Sequence, residues 1–147
     1  MSILIFLDFD GVLRRVTSLP PSRFDSDCLQ HFESAIRQDE KSKIVISSTW
    51  RLAMSLKEIR SHFSVDIAAR IVGVTPETLE DETFARYVEI LAFLQEKKVA
   101  ALPWVAIDDD ATHFPPASPL LLVDPNKGFD AACESRLIHL MRHSIIT

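Results

Sequence analysis

Ile3-Leu-Ile-Phe-Leu-Asp8-Phe-Asp10-Gly11-Val12-Leu13 is the stretch that decides the fold. Five apolar residues run into two aspartates one residue apart, then a glycine. A short continuous apolar run suits a strand buried on both faces of a parallel sheet. Such a strand does not end in two carboxylates unless something cationic compensates them. Residues i and i+2 share one face of extended chain, so Asp8 and Asp10 belong together at the carboxyl end of the strand. Ligands bind at that end in open α/β sheets. Like charges that close either share a proton or hold a metal ion. The alternative is an ordinary Asp-Gly turn after a core strand.

Outward from this strand the chain alternates strand and helix. A polar loop, Arg14 to Ser26, contains Pro20-Pro21. Asp25 or Ser26 can cap a helix through about Gln38, with Leu29, Phe32 and Ile36 at helical spacing. Ile44-Val45-Ile46 reads as a second buried strand ending in Ser47-Ser48-Thr49. Arg51 to Phe63 reads as a helix with Leu52, Leu56, Ile59 and Phe63 on one stripe. Ala69 to Val74 is a third strand, and Thr75-Pro76 starts a turn or short helix. Asp81 to Lys98 is a longer helix carrying Phe84, Val88, Leu91 and Leu94. Trp104 to Ile107 is a fourth strand ending in Asp108-Asp109-Asp110, and Leu120 to Val123 a fifth ending in Asp124-Pro125. A last helix runs from about Phe129 to His143. Five parallel strands with right-handed helical crossovers make an α/β class, three-layer α/β/α sandwich.

Composition agrees with one globular domain spanning residues 1–147, with 47% apolar and 25% charged residues. No apolar run reaches the length of a membrane span. The first strand lacks the basic flank of a signal peptide. Cys28 and Cys133 lack metal spacing and read as buried thiols of a reducing compartment, so a cytoplasmic location is expected. The net charge of −5 argues against bulk electrostatic binding to nucleic acid but leaves room for a local basic patch.

The strand ends carry the chemistry. The first ends in Asp8 and Asp10, the second in hydroxyls, the fourth in acids, and a doubly wound sheet brings these ends to one edge. Acids from two strands can hold Mg²⁺, a hard ion that prefers oxygen ligands. Hydroxyls and helix N-termini can donate to an anion beside it. Metal, carboxylate nucleophile and anion donors together describe phosphoryl transfer through an aspartyl phosphate.

These segments resemble the haloacid dehalogenase (HAD) superfamily. Asp8-Phe-Asp10-Gly11-Val12-Leu13 is similar to its first motif, Ile44-Val-Ile-Ser47-Ser48 to its second, and Trp104-Val-Ala-Ile-Asp108-Asp109 to its fourth. Ser47-Ser48-Thr49-Trp50-Arg51, Val72-Gly-Val-Thr75-Pro76 and Asp124-Pro-Asn-Lys-Gly128 further resemble the small HAD domains of bacterial multi-domain RNA-repair proteins. The resemblance implies a Rossmann-like sheet and a Mg²⁺-dependent phosphohydrolase. It makes Asp8 the nucleophile and a metal ligand, and Asp10 the general acid and base, with its backbone carbonyl on the metal. Ser47, or Ser48 one register later, would hold the phosphoryl oxygens. Asp108 would hold the metal with Asp109 close behind; a solvated acidic loop is the alternative for this run.

The superfamily's third motif is a Lys or Arg, for which Arg86, Lys97 and Lys98 compete. Lys97 and Lys98 close a helix, where positive charge suits the macrodipole, whereas Arg86 opposes it near the N-terminus and calls for another reason. Arg86 is therefore the expected residue, a surface pair with Glu82 or Glu89 being the alternative. There is no room for the cap domain that many superfamily members insert. An open site suits a large phosphorylated substrate, such as a polynucleotide end. Arg14, Arg15, Arg23, Trp50 and Arg51 are the candidates for rim contacts, through arginine forks and a stacking face. Trp50 is equally readable as a core aromatic, and His139 and His143 as an exposed helix face. The rival functions are a binding module without turnover, a small-molecule or nucleotide phosphatase, and a carbon–halogen hydrolase.

Overall fold

The opening apolar run forms β1 (Leu4–Leu7), with every side chain buried. The computed structural model describes residues 3–19, 23–78 and 83–143. After β1 come α1 (Ser26–Arg37), β2 (Lys43–Ile46), α2 (Leu56–Arg60), α3 (Val65–Ala68), β3 (Ile71–Val74), α4 (Ala85–Glu96), β4 (Trp104–Asp108), β5 (Leu120–Leu122) and α5 (Ala131–His143). The strands form one sheet in the order β3-β2-β1-β4-β5, and every pairing is parallel. No cap domain is present among the described residues.

Strand alternation sorts the core into two layers. Ile5 and Leu7 of β1, Ile44 and Ile46 of β2, and Val105 and Ile107 of β4 face one cluster, shared with Phe32 and Ile36 of α1 and Leu137 and Met141 of α5. Leu4, Phe6, Val45 and Ala106 face the other, shared with Ile90, Phe93 and Leu94 of α4. Even-numbered positions of β1 and β4 therefore look toward α4, and this parity decides where the strand-end acids go. The two cysteines are buried free thiols.

The structure differs from the sequence expectation in three helices. The expected helix over Arg51 to Phe63 is broken: Thr49–Leu52 is a 3₁₀ turn, and α2 starts afresh after Ser55. Ser55 and Glu58 form a reciprocal capping box there, and Leu52 is left exposed. In the fourth helix the buried stripe is Ile90, Phe93 and Leu94; Phe84 and Leu91 are exposed. That helix begins at Ala85, and residues 81 and 82 of the expected start lie outside the described residues, as do Pro20 and Pro21. Asp25 precedes α1 but makes no side-chain cap bond, because its carboxylate accepts from the backbone N–H of Arg15 and the hydroxyl of Ser18. Thr75-Pro76 enters no helix within the described residues.

Candidate active site

The chain leaves β1 for β2 and β3, then returns to place β4 on the other side of β1. Such a reversal opens a crevice beyond the carboxyl ends of the two strands. Leu7 pairs with Ile107, and the Asp8 N–H donates to the Ile107 carbonyl at 3.0 Å, so Asp8 and Asp108 follow as lateral neighbours. Both share the parity of Phe6 and Ala106 and look toward α4. Arg86, in the first turn of α4, meets them: its Nη2 lies 3.4 Å from Asp8 Oδ1 and its Nε 3.6 Å from Asp108 Oδ2. Phe84, two residues earlier, has φ 56, a left-handed conformation rare for a bulky side chain, as the chain turns into this helix.

Asp109 completes the group. Carboxylate oxygens of Asp8, Asp108 and Asp109 all lie within 4.8 Å of one another. The approach depends on Gly11, which has φ +80 and whose missing Cβ would collide with the Asp109 carboxylate. These acids, with Asp10, Thr49 and Arg86, line a shallow cavity of about 220 Å³. A larger apolar cavity of about 650 Å³, lined by Pro103, Pro119 and Leu140 among others, lies at the amino ends of β4 and β5, away from the carboxylates.

One guanidinium does not compensate three carboxylates. Burial, then the Asp108 charge, pushes Asp8 up to about 8 against the pull of Arg86. Burial likewise raises Asp108 to about 7, opposed by Arg86 and by the Asp110 N–H. Asp108 Oδ2 and Arg86 Nη1 are both buried without a hydrogen-bond partner. Orphaned buried polar atoms need a further partner. An all-oxygen donor set with excess negative charge fits a hard divalent cation.

A family model described as "HAD domain in Swiss Army Knife RNA repair proteins" matches residues 4–133. The chain belongs to this family. No curated protein and no solved structure matches it. Family and fold agree: the HAD domain here is an all-parallel α/β sandwich, with no cap domain among the described residues.

The remaining sequence candidates divide sharply within this HAD domain. Lys97 and Lys98 close α4 at its far end, away from Asp8, where the connection to β4 begins. The Ser47 N–H donates to the Leu7 carbonyl, placing it beside Asp8, but Ser47 is buried and is not among the residues that line the cavity. Ser48 does not face the cavity. It is fully buried, and its Oγ accepts from the Trp50 N–H to cap the 3₁₀ turn. Thr49, not singled out from the sequence, is the hydroxyl residue that lines the cavity among the described residues.

Arg15, Trp50 and Arg51, expected at the rim, are not among the residues that line the cavity. Arg15 forks onto Asp27 and reaches Asp25 at 3.2 Å, and holds Asp27 below the usual carboxylate range. The Arg51 guanidinium is 3% exposed. It donates to the carbonyls of Ser48, Thr75 and Pro76 and pairs with Glu89 at 2.9 Å, tying the ends of β2 and β3 to α4. Trp50 is half-buried, stacks one face on Phe24 with centroids 5.3 Å apart and meets Phe9 edge-on, and it does not line the cavity. Arg14 is buried and pairs with Asp10 at 3.1 Å. On the opposite rim, Asp110 and His113 line the cavity and approach to 3.3 Å. Nothing in the sequence marked His113; the 3₁₀ turn Ala111–His113, started by the Asp110 side chain, brings it there.

Proposed function

We propose that this HAD domain is a Mg²⁺-dependent phosphomonoester hydrolase that works through a phosphorylated Asp8 and acts on a terminal phosphate of a nucleic acid. The carrying observation is the buried Asp8 carboxylate, paired with Arg86 and set against Asp108 and Asp109 on an uncapped cavity. A nucleophilic carboxylate is activated by position and by neutralisation of the charge it must approach.

Asp8 attacks phosphorus while the bond to the leaving oxygen breaks, and protonated Asp10 gives that oxygen its proton. Water then attacks the acyl phosphate, Asp10 takes the proton from it, and inorganic phosphate leaves with Asp8 restored. Arg86 and Thr49 hold the non-bridging oxygens. Asp8, Asp108 and Asp109, with the Asp10 carbonyl, would hold Mg²⁺, which would supply charge neutralisation to the phosphoryl group. The nucleic-acid part rests on the family's description and the open cavity, not on Arg15, Trp50 or Arg51.

Phosphate release from a 5′- or 3′-phosphorylated oligonucleotide, the matching mononucleotide and an aryl phosphate tests both parts. Release should require Mg²⁺, vanish in Asp8→Asn with the fold intact, and show the highest kcat/KM on the oligonucleotide. An active Asp8→Asn protein refutes the mechanism. A mononucleotide preferred over the oligonucleotide refutes the substrate class alone.

A further inference from the structure

The two strongest donors beside Asp10 do not look outward to substrate. Arg14 Nη1 donates to Asp10 Oδ1 at 3.1 Å, and Trp50 Nε1 donates to Asp10 Oδ2 at 3.1 Å. One donor comes from the turn after β1 and the other from the 3₁₀ turn after β2. Each oxygen has its own donor, so together they fix the plane of the carboxylate as well as its place. A carboxylate has about four lone-pair sites. Two remain for a leaving oxygen or a water in the cavity that Asp10 lines.

Both donors are themselves held. Arg14 Nη2 donates to the Ser18 carbonyl, and the Arg14 carbonyl accepts from the Gly11 N–H at 2.8 Å. The Trp50 ring stacks on Phe24 and meets Phe9 edge-on, and its backbone N–H donates to Ser48 Oγ. The burial pattern is the reverse of what stability alone builds. The Arg14 side chain is 9% exposed while the Asp10 carboxylate it serves is 48% exposed. Arg14 Nε is buried with no hydrogen-bond partner. A buried guanidinium with an unmet donor is destabilising, and an accessible carboxylate does not need it for solvation.

We infer that Arg14 and Trp50 are positioning residues that clamp the Asp10 carboxylate in the orientation needed for proton transfer. The role rests on the phosphohydrolase reading of the site. It assigns a function to two residues that follow β1 and β2 yet do not line the cavity. General acid catalysis contributes roughly 10²- to 10⁴-fold, and it fails when the donor is misplaced.

Trp50→Phe keeps a ring against Phe9 and Phe24 and deletes the indole N–H. The readout is kcat/KM on phenyl phosphate, a poor leaving group, and on 2,4-dinitrophenyl phosphate, which needs no proton. The parameter reports steps only through departure of the leaving oxygen, so it isolates the acid role of Asp10. The expected result is a loss of about tenfold on the phenyl ester and a much smaller loss on the dinitrophenyl ester. Arg14→Gln should split the two esters in the same direction. A second measurement needs no turnover. In ¹⁵N-labelled protein the Trp50 indole resonance, told from that of Trp104 by its absence in Trp50→Phe, should move in Asp10→Asn. Equal losses on both esters, or an indole resonance indifferent to Asp10→Asn, overturn the clamp. Wild-type protein inactive on both esters refutes the phosphohydrolase reading and the clamp's catalytic role with it, while the indole shift still reports the contact separately.

Discussion

Withholding divalent ions should destabilise this fold progressively as pH rises. Asp8 moves from 3.8 to about 8 on folding, and Asp108 from 3.8 to about 7. The folded protein thus keeps protons that the unfolded chain has released, and stability falls with pH wherever that holds. The contribution is fully present below about pH 4 and is lost as pH rises toward 7 to 8. Each pH unit in the window is worth about 1.4 kcal/mol per group. Asp8 and Asp108 repel each other, so the pair is counted once, giving a loss of ~3–4 kcal/mol between pH 5 and pH 8. For a domain of this size that lowers the melting temperature by roughly 10 °C. Asp27, Asp66, Asp110 and Asp130 are shifted down, so their contributions disappear only in acid and leave this window untouched. Thermal melts across the window in chelator should show the slope. Mg²⁺ should offset most of the loss at pH 8, adding about 2.7 kcal/mol at a hundred times its Kd. Asp108→Asn deletes one charge of the pair: it should flatten the slope, melt higher than wild type at pH 8 in chelator, and gain little from Mg²⁺. Identical wild-type melts at pH 5 and pH 8 in chelator, or an undiminished slope in Asp108→Asn, would refute the charge argument.

Arg51→Ala leaves the buried Glu89 carboxylate of α4 without its counter-ion, with the Thr78 N–H as a remaining donor, and urea denaturation should show a loss of about 3–5 kcal/mol. Arg15→Ala breaks only partly exposed pairs with Asp25 and Asp27; its denaturation midpoint should shift by less than about 1 kcal/mol, and its kcat/KM on a phosphorylated oligonucleotide should stay at the wild-type value. Gly11→Ala forces a Cβ toward the Asp109 carboxylate at a left-handed position, so calorimetry should find Mg²⁺ binding weakened by about tenfold or more.

The sheet and the four groups around the cavity were legible because they rest on short-range rules. Burial of the Ile3 to Leu7 run, strand parity and the switch point together bring Asp8 and Asp108 to one side of the sheet. Arg86 stood out because its position opposes the helix dipole. The arginines after the strands were not legible, because a guanidinium reads the same whether its fork meets solvent or protein. The partners of Arg51 lie as far off as Glu89, and those of Arg15 at the start of α1. Trp50 was decided by three-dimensional packing on Phe24. The broken helix after β2 did have a local signal, the Ser55-x-x-Glu58 box, which outweighed the apolar spacing of Leu52 and Leu56. Ser48 and Thr49 differ by one position, and the 3₁₀ turn rather than the strand determines which of them meets the cavity.

Turning the arginines inward changes the electrostatics of catalysis. The cavity is lined by Asp8, Asp10, Asp108, Asp109 and Asp110, and Arg86 is the one arginine among its lining residues. A phosphate dianion entering this field alone meets net repulsion. A divalent cation held by Asp8, Asp108 and Asp109 would reverse the sign of the field in the cavity. Each ligand then raises the other's affinity by the same factor, as linkage requires. The open cavity would gain selectivity from this coupling, since a phosphorylated ligand would bind well only with the cation in place.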